Sequence, residues 1–259
     1  MQMEDRIKVL FLASDPFRDR APLRLDEEVR AIEHALRKGR ARDRVKLVPY
    51  FAARTRDLQH ALMQHDPRIV HFAGHGSDGA IYMGDAYGRP TVVGKEALAK
   101  LFGILNEWIK VVVLNGCNTL PIVDALSEIV DYAIGMNQPL SDASAIVFAE
   151  SFYGALGMGK TVQASFDLAV SQLELEGNAE STIPVLRIRP GVDPSLPLVA
   201  EPSVSAVPVE PVEPRGPGMV TDIKTFHADD VLFENRPGFA KAEHRFDNVF
   251  GRGFIFRNN

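Results

Sequence analysis

One cysteine and one tryptophan are all that the 259 residues contain of either type. A lone thiol cannot close an intramolecular disulfide or build a cysteine-based zinc site, so Cys117 is either a small buried hydrophobe or a functional group. Long apolar runs are also missing: none reaches the roughly 18 residues needed to cross a bilayer. Residues 1–8 carry charges where a secretion signal would have an apolar core. These absences lead to the expectation of a cytoplasmic chain with no membrane partner. Nor is there an excess of positive charge, since 29 Lys and Arg stand against 34 Asp and Glu. No global field is therefore available to hold a nucleic-acid backbone. The basic run at 37–44 is interrupted by Asp43 and has no interleaved aromatics, which marks a solvated helix end.

The chain is rich in apolar residues, at 46%, enough for a sizeable core. Residues 7–12 form a β-branched and aliphatic run closed by Ser14-Asp15-Pro16, the pattern of a buried strand and a turn. Leu25, Val29, Ile32 and Leu36 then recur at helical spacing, with Asp26/Arg30 and Glu33/Arg37 as i, i+4 pairs on the outer side. The alternation continues with a strand at 45–48, a helix capped by Thr55 and running to about 65, and a strand at 69–73. A hairpin built on 81–83 and 91–93 precedes a helix at 95–107. Then come the most hydrophobic strand, 111–114, a helix at 121–129, a strand at 132–135, helices at 142–156 and 160–176, and a last strand at 183–188. Strands separated by helices of this length pair in parallel, with helices on both faces, so residues 1–190 are expected to form an open, mostly parallel α/β domain.

Residues 190–218 change character, with eight prolines, so 191–218 read as an extended linker. The tail, 219–259, scatters Phe226, Phe233, Phe239, Phe246, Phe250, Phe254 and Phe256 among charges and glycines. It is too short for a core of its own, so it is expected to dock on the main domain, to inhibit it, or to recruit another protein.

Chemistry concentrates at two strand ends. The strand at 69–73 runs into Gly74-His75-Gly76, and that at 111–114 into Asn115-Gly116-Cys117-Asn118. In a parallel sheet, carboxyl ends share one edge, so His75 and Cys117 can meet there despite their separation in sequence. An imidazole is the usual acceptor of a thiol proton, and flanking glycines permit tight turns and close approach of a substrate backbone. Pro121 fits an early helical position, with Asn118 or Thr119 as cap, which sets Cys117 near a helix N-terminus. The amides of Gly76 and Cys117 are candidates for an oxyanion hole.

The ordered motifs Ile69-Val70-His71-Phe72-Ala73-Gly74-His75-Gly76, Val111-Val112-Val113-Leu114-Asn115-Gly116-Cys117, and Ile134-Gly135-Met136 with Ser141-Asp142 resemble the CHAT peptidase family. The opening, Val9-Leu10-Phe11-Leu12-Ala13-Ser14-Asp15-Pro16 with Leu23-Arg24-Leu25-Asp26-Glu27-Glu28, looks like that family too. The resemblance covers about residues 5–175. It implies a caspase-like fold, a His75/Cys117 dyad and endoproteolysis of protein substrates, without cofactor or metal. It also implies a bacterial defence or programmed-death setting, with an activating or sensor protein as partner. Asp142 matches the position where the related separases place an acid for a basic P1 side chain; the competing reading is that it caps a helix starting at Ala143.

Other readings compete. A non-catalytic adaptor of the same fold would use the tail for binding, but the presence of both His75 and Cys117 favours an enzyme. His71 shares a strand face with Ala73 and reads as a hydrogen-bonded core histidine, and no third ligand accompanies it and His75 for zinc. Gly154-Ala155-Leu156-Gly157-Met158-Gly159-Lys160-Thr161 spells a P-loop. Such a loop must leave a buried strand, whereas Ala145, Phe148, Phe152 and Leu156 fall at helical spacing, so a helix-to-helix turn is expected.

Overall fold

The structure, a computed structural model, describes residues 6–199 and two short strands near the C-terminus. Six strands form the main sheet: β1 (Ile7–Ser14), β2 (Val45–Tyr50), β3 (Ile69–Gly74), β7 (Val111–Asn115), β8 (Tyr132–Met136) and β9 (Pro184–Ile188), in the order β2-β1-β3-β7-β8-β9. The first five are parallel and β9 runs antiparallel to β8. Helices α1 (Leu25–Lys38), α2 (Thr55–His65), α3 (Lys95–Ile104), α4 (Leu120–Leu126), α5 (Asp142–Gly157) and α6 (Val162–Leu175) make the connections.

Period-two alternation in the strands divides the core in two. Val9, Phe11, Ile69, Val111, Val113 and Ile134 face α1, α5 and α6, while Leu10, Leu12, Val70, Phe72, Val112 and Leu114 face α2, α3 and α4. Every residue of β3 and β7 is buried, which accounts for their unbroken apolar runs. From β1 the chain steps outward to β2 and then returns to β3 on the other side of β1. Loops leaving β1 and β3 therefore diverge, and a crevice opens at their carboxyl ends.

A small antiparallel sheet, β4 (Gly76–Ser77), β5 (Ala80–Gly84) and β6 (Pro90–Gly94), replaces the single hairpin expected from sequence. Its extra turn is Asp78-Gly79, where both residues have positive φ, +42° and +81°, as a two-residue primed turn requires. Arg54, not Thr55, occupies the N-cap of α2, and its amide donates to the Asp57 carboxylate at 3.2 Å. The Gly154–Thr161 stretch is the end of α5 and a turn into α6, where the Thr161 hydroxyl accepts from the Ala164 amide at 3.1 Å. It follows a helix, not a strand, so it lacks the strand-to-helix setting of a P-loop.

Packing continues past the last main strand. Val199 is buried, and the Tyr132 hydroxyl reaches the Asp193 carbonyl. The rest of the expected linker, and the roles expected of the tail, lie outside the described residues. In a separate C-terminal unit, 205–259, β10 (Arg245–Phe246) pairs antiparallel with β11 (Phe254–Ile255).

Phe152 is fully buried and meets both Phe148 and Tyr153. Phe152→Ala should lower unfolding free energy by about 3–5 kcal/mol. Leu168→Ala, on the exposed side of α6, should change it by less than about 0.5 kcal/mol. Urea titration followed by circular dichroism checks both.

Candidate active site

β3 and β7 pair in register, Ala73 opposite Asn115, so the turns that follow begin at the same level of the sheet. The two turns touch. A Cβ on Gly76 would lie 2.4 Å from the Cys117 carbonyl oxygen and 3.3 Å from its nitrogen. One on Gly116 would lie 2.8 Å from the Gly74 oxygen and 3.3 Å from the Gly76 nitrogen. No larger residue fits either position without moving backbone, which is the physical content of the two glycine-flanked motifs. His75 and Cys117 line one cavity, together with Asp142 at the start of α5. Gly76 packs against the backbone of Cys117 and is not among the cavity walls.

His75 is held from three sides. The Tyr82 amide donates to its carbonyl at 3.0 Å, tying the turn to β5. Phe17 meets its ring edge-on, with centroids 5.0 Å apart. Its Nε2 lies 3.2 Å from Asp15 Oδ1, at the end of β1. Both atoms are buried and are not aligned for a hydrogen bond, so in this conformation the contact is electrostatic. Asp15 is itself anchored, because its Oδ2 accepts from the Leu23 amide at 3.0 Å.

Cys117 is half-buried and lies in a turn clamped by Thr119. The Thr119 hydroxyl lies 3.1 Å from both the Leu114 and Gly116 carbonyls, and it accepts from the Met136 amide at 2.9 Å. One side chain thus joins the turn after β7 to the end of β8. Thr119 occupies the N-cap position of α4, but its hydroxyl serves the loop, not the helix. Asn118 takes a positive φ of +52° next to Cys117, a conformation asparagine tolerates better than most residues.

Asp142 does not cap α5. That place is taken by Ser141, whose hydroxyl accepts from the Ser144 amide, while Asp142 Oδ2 accepts from the Arg24 amide at 3.1 Å. The Ser141 and Ser144 hydroxyls donate to Glu180, holding that carboxyl below its ordinary range.

The CHAT domain family model matches residues 13–182. The chain belongs to that family. No curated protein sequence matches it. Among solved structures, the Arg-specific cysteine proteinase gingipain R superimposes with a TM-score of 0.54 at 14% identity, over 78% of this chain and 50% of its own. Caspase-1 from Spodoptera frugiperda gives 0.47 at 9% identity, over 72% and 89%. The chain therefore spans about half the length of gingipain R. The fold of this CHAT domain is caspase-like, with helices on both faces of a mostly parallel sheet.

Beneath the cavity lies a polar cluster that the sequence reading did not assemble. Glu28 Oε1 accepts from the Asn115 amide group at 2.6 Å and lies 2.8 Å from His71 Nε2; His71 Nδ1 lies 3.1 Å from the Tyr153 hydroxyl. His71 is the core histidine expected, stacked on Phe11 with centroids 4.9 Å apart. Glu28 was hidden among the exposed charges of α1. The signal was its spacing, three residues after Leu25 and four before Ile32, on the apolar stripe. Asp15, between Ser14 and Pro16, carries a turn signal in sequence and none for its place beside His75.

Two outcomes follow. Thr119→Val should cost about 1–3 kcal/mol by stranding the buried Met136 amide, and Thr119→Ser should restore most of it; thermal and urea unfolding test this. Burial, and secondarily the Glu28 carboxylate, holds the Tyr153 phenol well above its ordinary value. An unfolded phenol ionises near pH 10, so as pH rises past that point the unfolded state sheds a proton that the folded state keeps, and stability falls. The stability deficit of Tyr153→Phe against wild type should accordingly shrink between pH 8 and the alkaline limit, as read by urea midpoints.

Proposed function

We propose that this CHAT domain is a cysteine endopeptidase, with Cys117 as nucleophile and His75 as general base and then general acid. The observation that carries the reading is the meeting of the two glycine turns, which gives His75 and Cys117 a common cavity at the carboxyl edge of the sheet. The thiol proton passes to His75, and the thiolate adds to the scissile carbonyl. The developing oxyanion is met by the Cys117 amide and that of neighbouring Gly76. The amine then leaves with the proton from His75, and water, deprotonated by the same imidazole, hydrolyses the thioester.

Asp15 acts as a positioning residue: its carboxylate, anchored by the Leu23 amide, lies beside Nε2 and holds the ring in place for each proton transfer. The misalignment of this pair is of the kind that tightens when a substrate binds. Asp142, on the cavity wall, supports selection of a basic P1 side chain. The family resemblance extends the proposal to a cytoplasmic bacterial defence system in which a partner protein switches the protease on.

A peptide acyloxymethyl ketone with Arg or Lys at P1 should alkylate the wild-type chain and leave Cys117→Ala unmodified. His75→Ala should slow alkylation by about 10²–10⁴-fold. Asp15→Asn should slow it less and displace its pH profile, a change that loss of fold alone would not give. Mass spectrometry of the intact chain reads all four proteins, and labelling that survives in Cys117→Ala removes the nucleophile assignment.

A further inference from the structure

The cavity beside Cys117 has a carboxylate at its base whose place in the fold is not explained by packing. Glu28 is 4% exposed, sits on the core-facing stripe of α1, and lines the cavity together with Asn115, Asp142 and the apolar walls Leu25, Leu140 and Ile146. Its Oε1 is fully occupied by Asn115 and His71. Its Oε2 takes no hydrogen bond among the described residues and is not a sealed atom, so it opens to the cavity.

The hydrogen-bond pattern assigns donors and acceptors. With Nε2 of His71 donating to Glu28, Nδ1 is left as an acceptor, and the Tyr153 hydroxyl, whose proton burial retains, donates to it. Each polar group is then satisfied except Oε2 of Glu28, which faces the cavity without a donor. Arg24, the cation at the rim, is engaged elsewhere, because its guanidinium pairs with Glu27 on the exposed side of α1. A buried carboxyl oxygen left without a donor is costly unless a guest that donates to it completes the site.

We propose that Glu28 is the specificity-determining residue at the base of the substrate pocket. It receives the guanidinium or ammonium of the residue whose carbonyl Cys117 attacks, and His71, Asn115 and Tyr153 fix its carboxylate. This deepens and rests on the peptidase reading. Asp142 is then the outer acid of the pocket and Glu28 the inner one. The substrate class is a peptide with Arg or Lys at P1.

The test separates the pocket from the chemistry by measuring a cation that needs no catalysis. Calorimetric titration of the full chain with benzamidine and with its neutral analogue benzamide should give at least about tenfold tighter binding of the cation, the worth of one charge-assisted hydrogen bond. In Glu28→Gln, the amide oxygen can keep the bonds to Asn115 and His71 while an NH2 group faces the cavity, so the preference for benzamidine should vanish and benzamide binding should persist. Equal binding of the two probes by wild type, or no binding of benzamidine, overturns the proposal, and neither result depends on the variant folding. An undiminished preference in a folded Glu28→Gln, verified by its urea midpoint, overturns it as well. Benzamidine preference without ketone labelling of Cys117 would refute the peptidase reading and keep the cation pocket; labelling without that preference would do the reverse.

Discussion

The parallel register of β3 against β7, with Ala73 opposite Asn115, is the constraint on which the site rests. A slip of one residue would send every side chain of a strand to the other face. Here it would also turn His71 or Asn115 away from Glu28 and leave a buried carboxylate without its donors. Apolar packing alone would penalise such a slip only weakly, because both faces of these strands are buried and apolar. The polar cluster makes the correct register distinct, so the same bonds that hold Glu28 also fix the heights of the two turns.

From that register the remaining geometry follows by contact. The turns after β3 and β7 have room for each other only because Gly76 and Gly116 lack side chains. Thr119 then ties the second turn to β8, and the Asp78-Gly79 turn folds the first back onto β5 through Tyr82. Asp15 and Phe17 approach His75 from the end of β1, the strand where the direction of winding reverses. A crevice at such a reversal is where open α/β sheets bind ligands, and here its walls come from β3, β7, α1, α5 and the loops beside them.

Much of this was legible in the chain. The apolar runs at β3 and β7 announced doubly buried strands, and the glycines beside His75 and Cys117 announced tight turns. Those signals are local and periodic, so they survive in one dimension. Asp15 and Glu28 were not recovered as site residues because their meaning depends on which neighbours the fold supplies. An acid after Ser14 looks like turn chemistry, and one among Asp26, Glu27 and Glu33 looks like helix solubility. Asp142 shows the same limit: sequence offered a helix cap or a pocket acid, and the choice of Ser141 as cap was settled by its bonds to Ser144 and Glu180. The Asp78-Gly79 turn is hidden for another reason, as β4 on its N-terminal side has only 2 residues, too few to show alternation.

The buried cluster also bears on why α1 carries an acid where an apolar residue would pack better. Replacing a buried polar set by apolar side chains of similar volume is often neutral or stabilising, so stability does not require Glu28, His71 and Asn115 together. Removing one member alone would be costly, since the others would lose partners in a low-dielectric site. The three are thus bound to one another energetically, and the group as a whole is kept for something other than core stability. Register specificity is one such purpose, and an acidic side chain lining the cavity beside Cys117 is another. The two are compatible, because a carboxylate held rigidly enough to specify strand register is already preorganised to receive a cation, with its side-chain entropy lost during folding and not at binding.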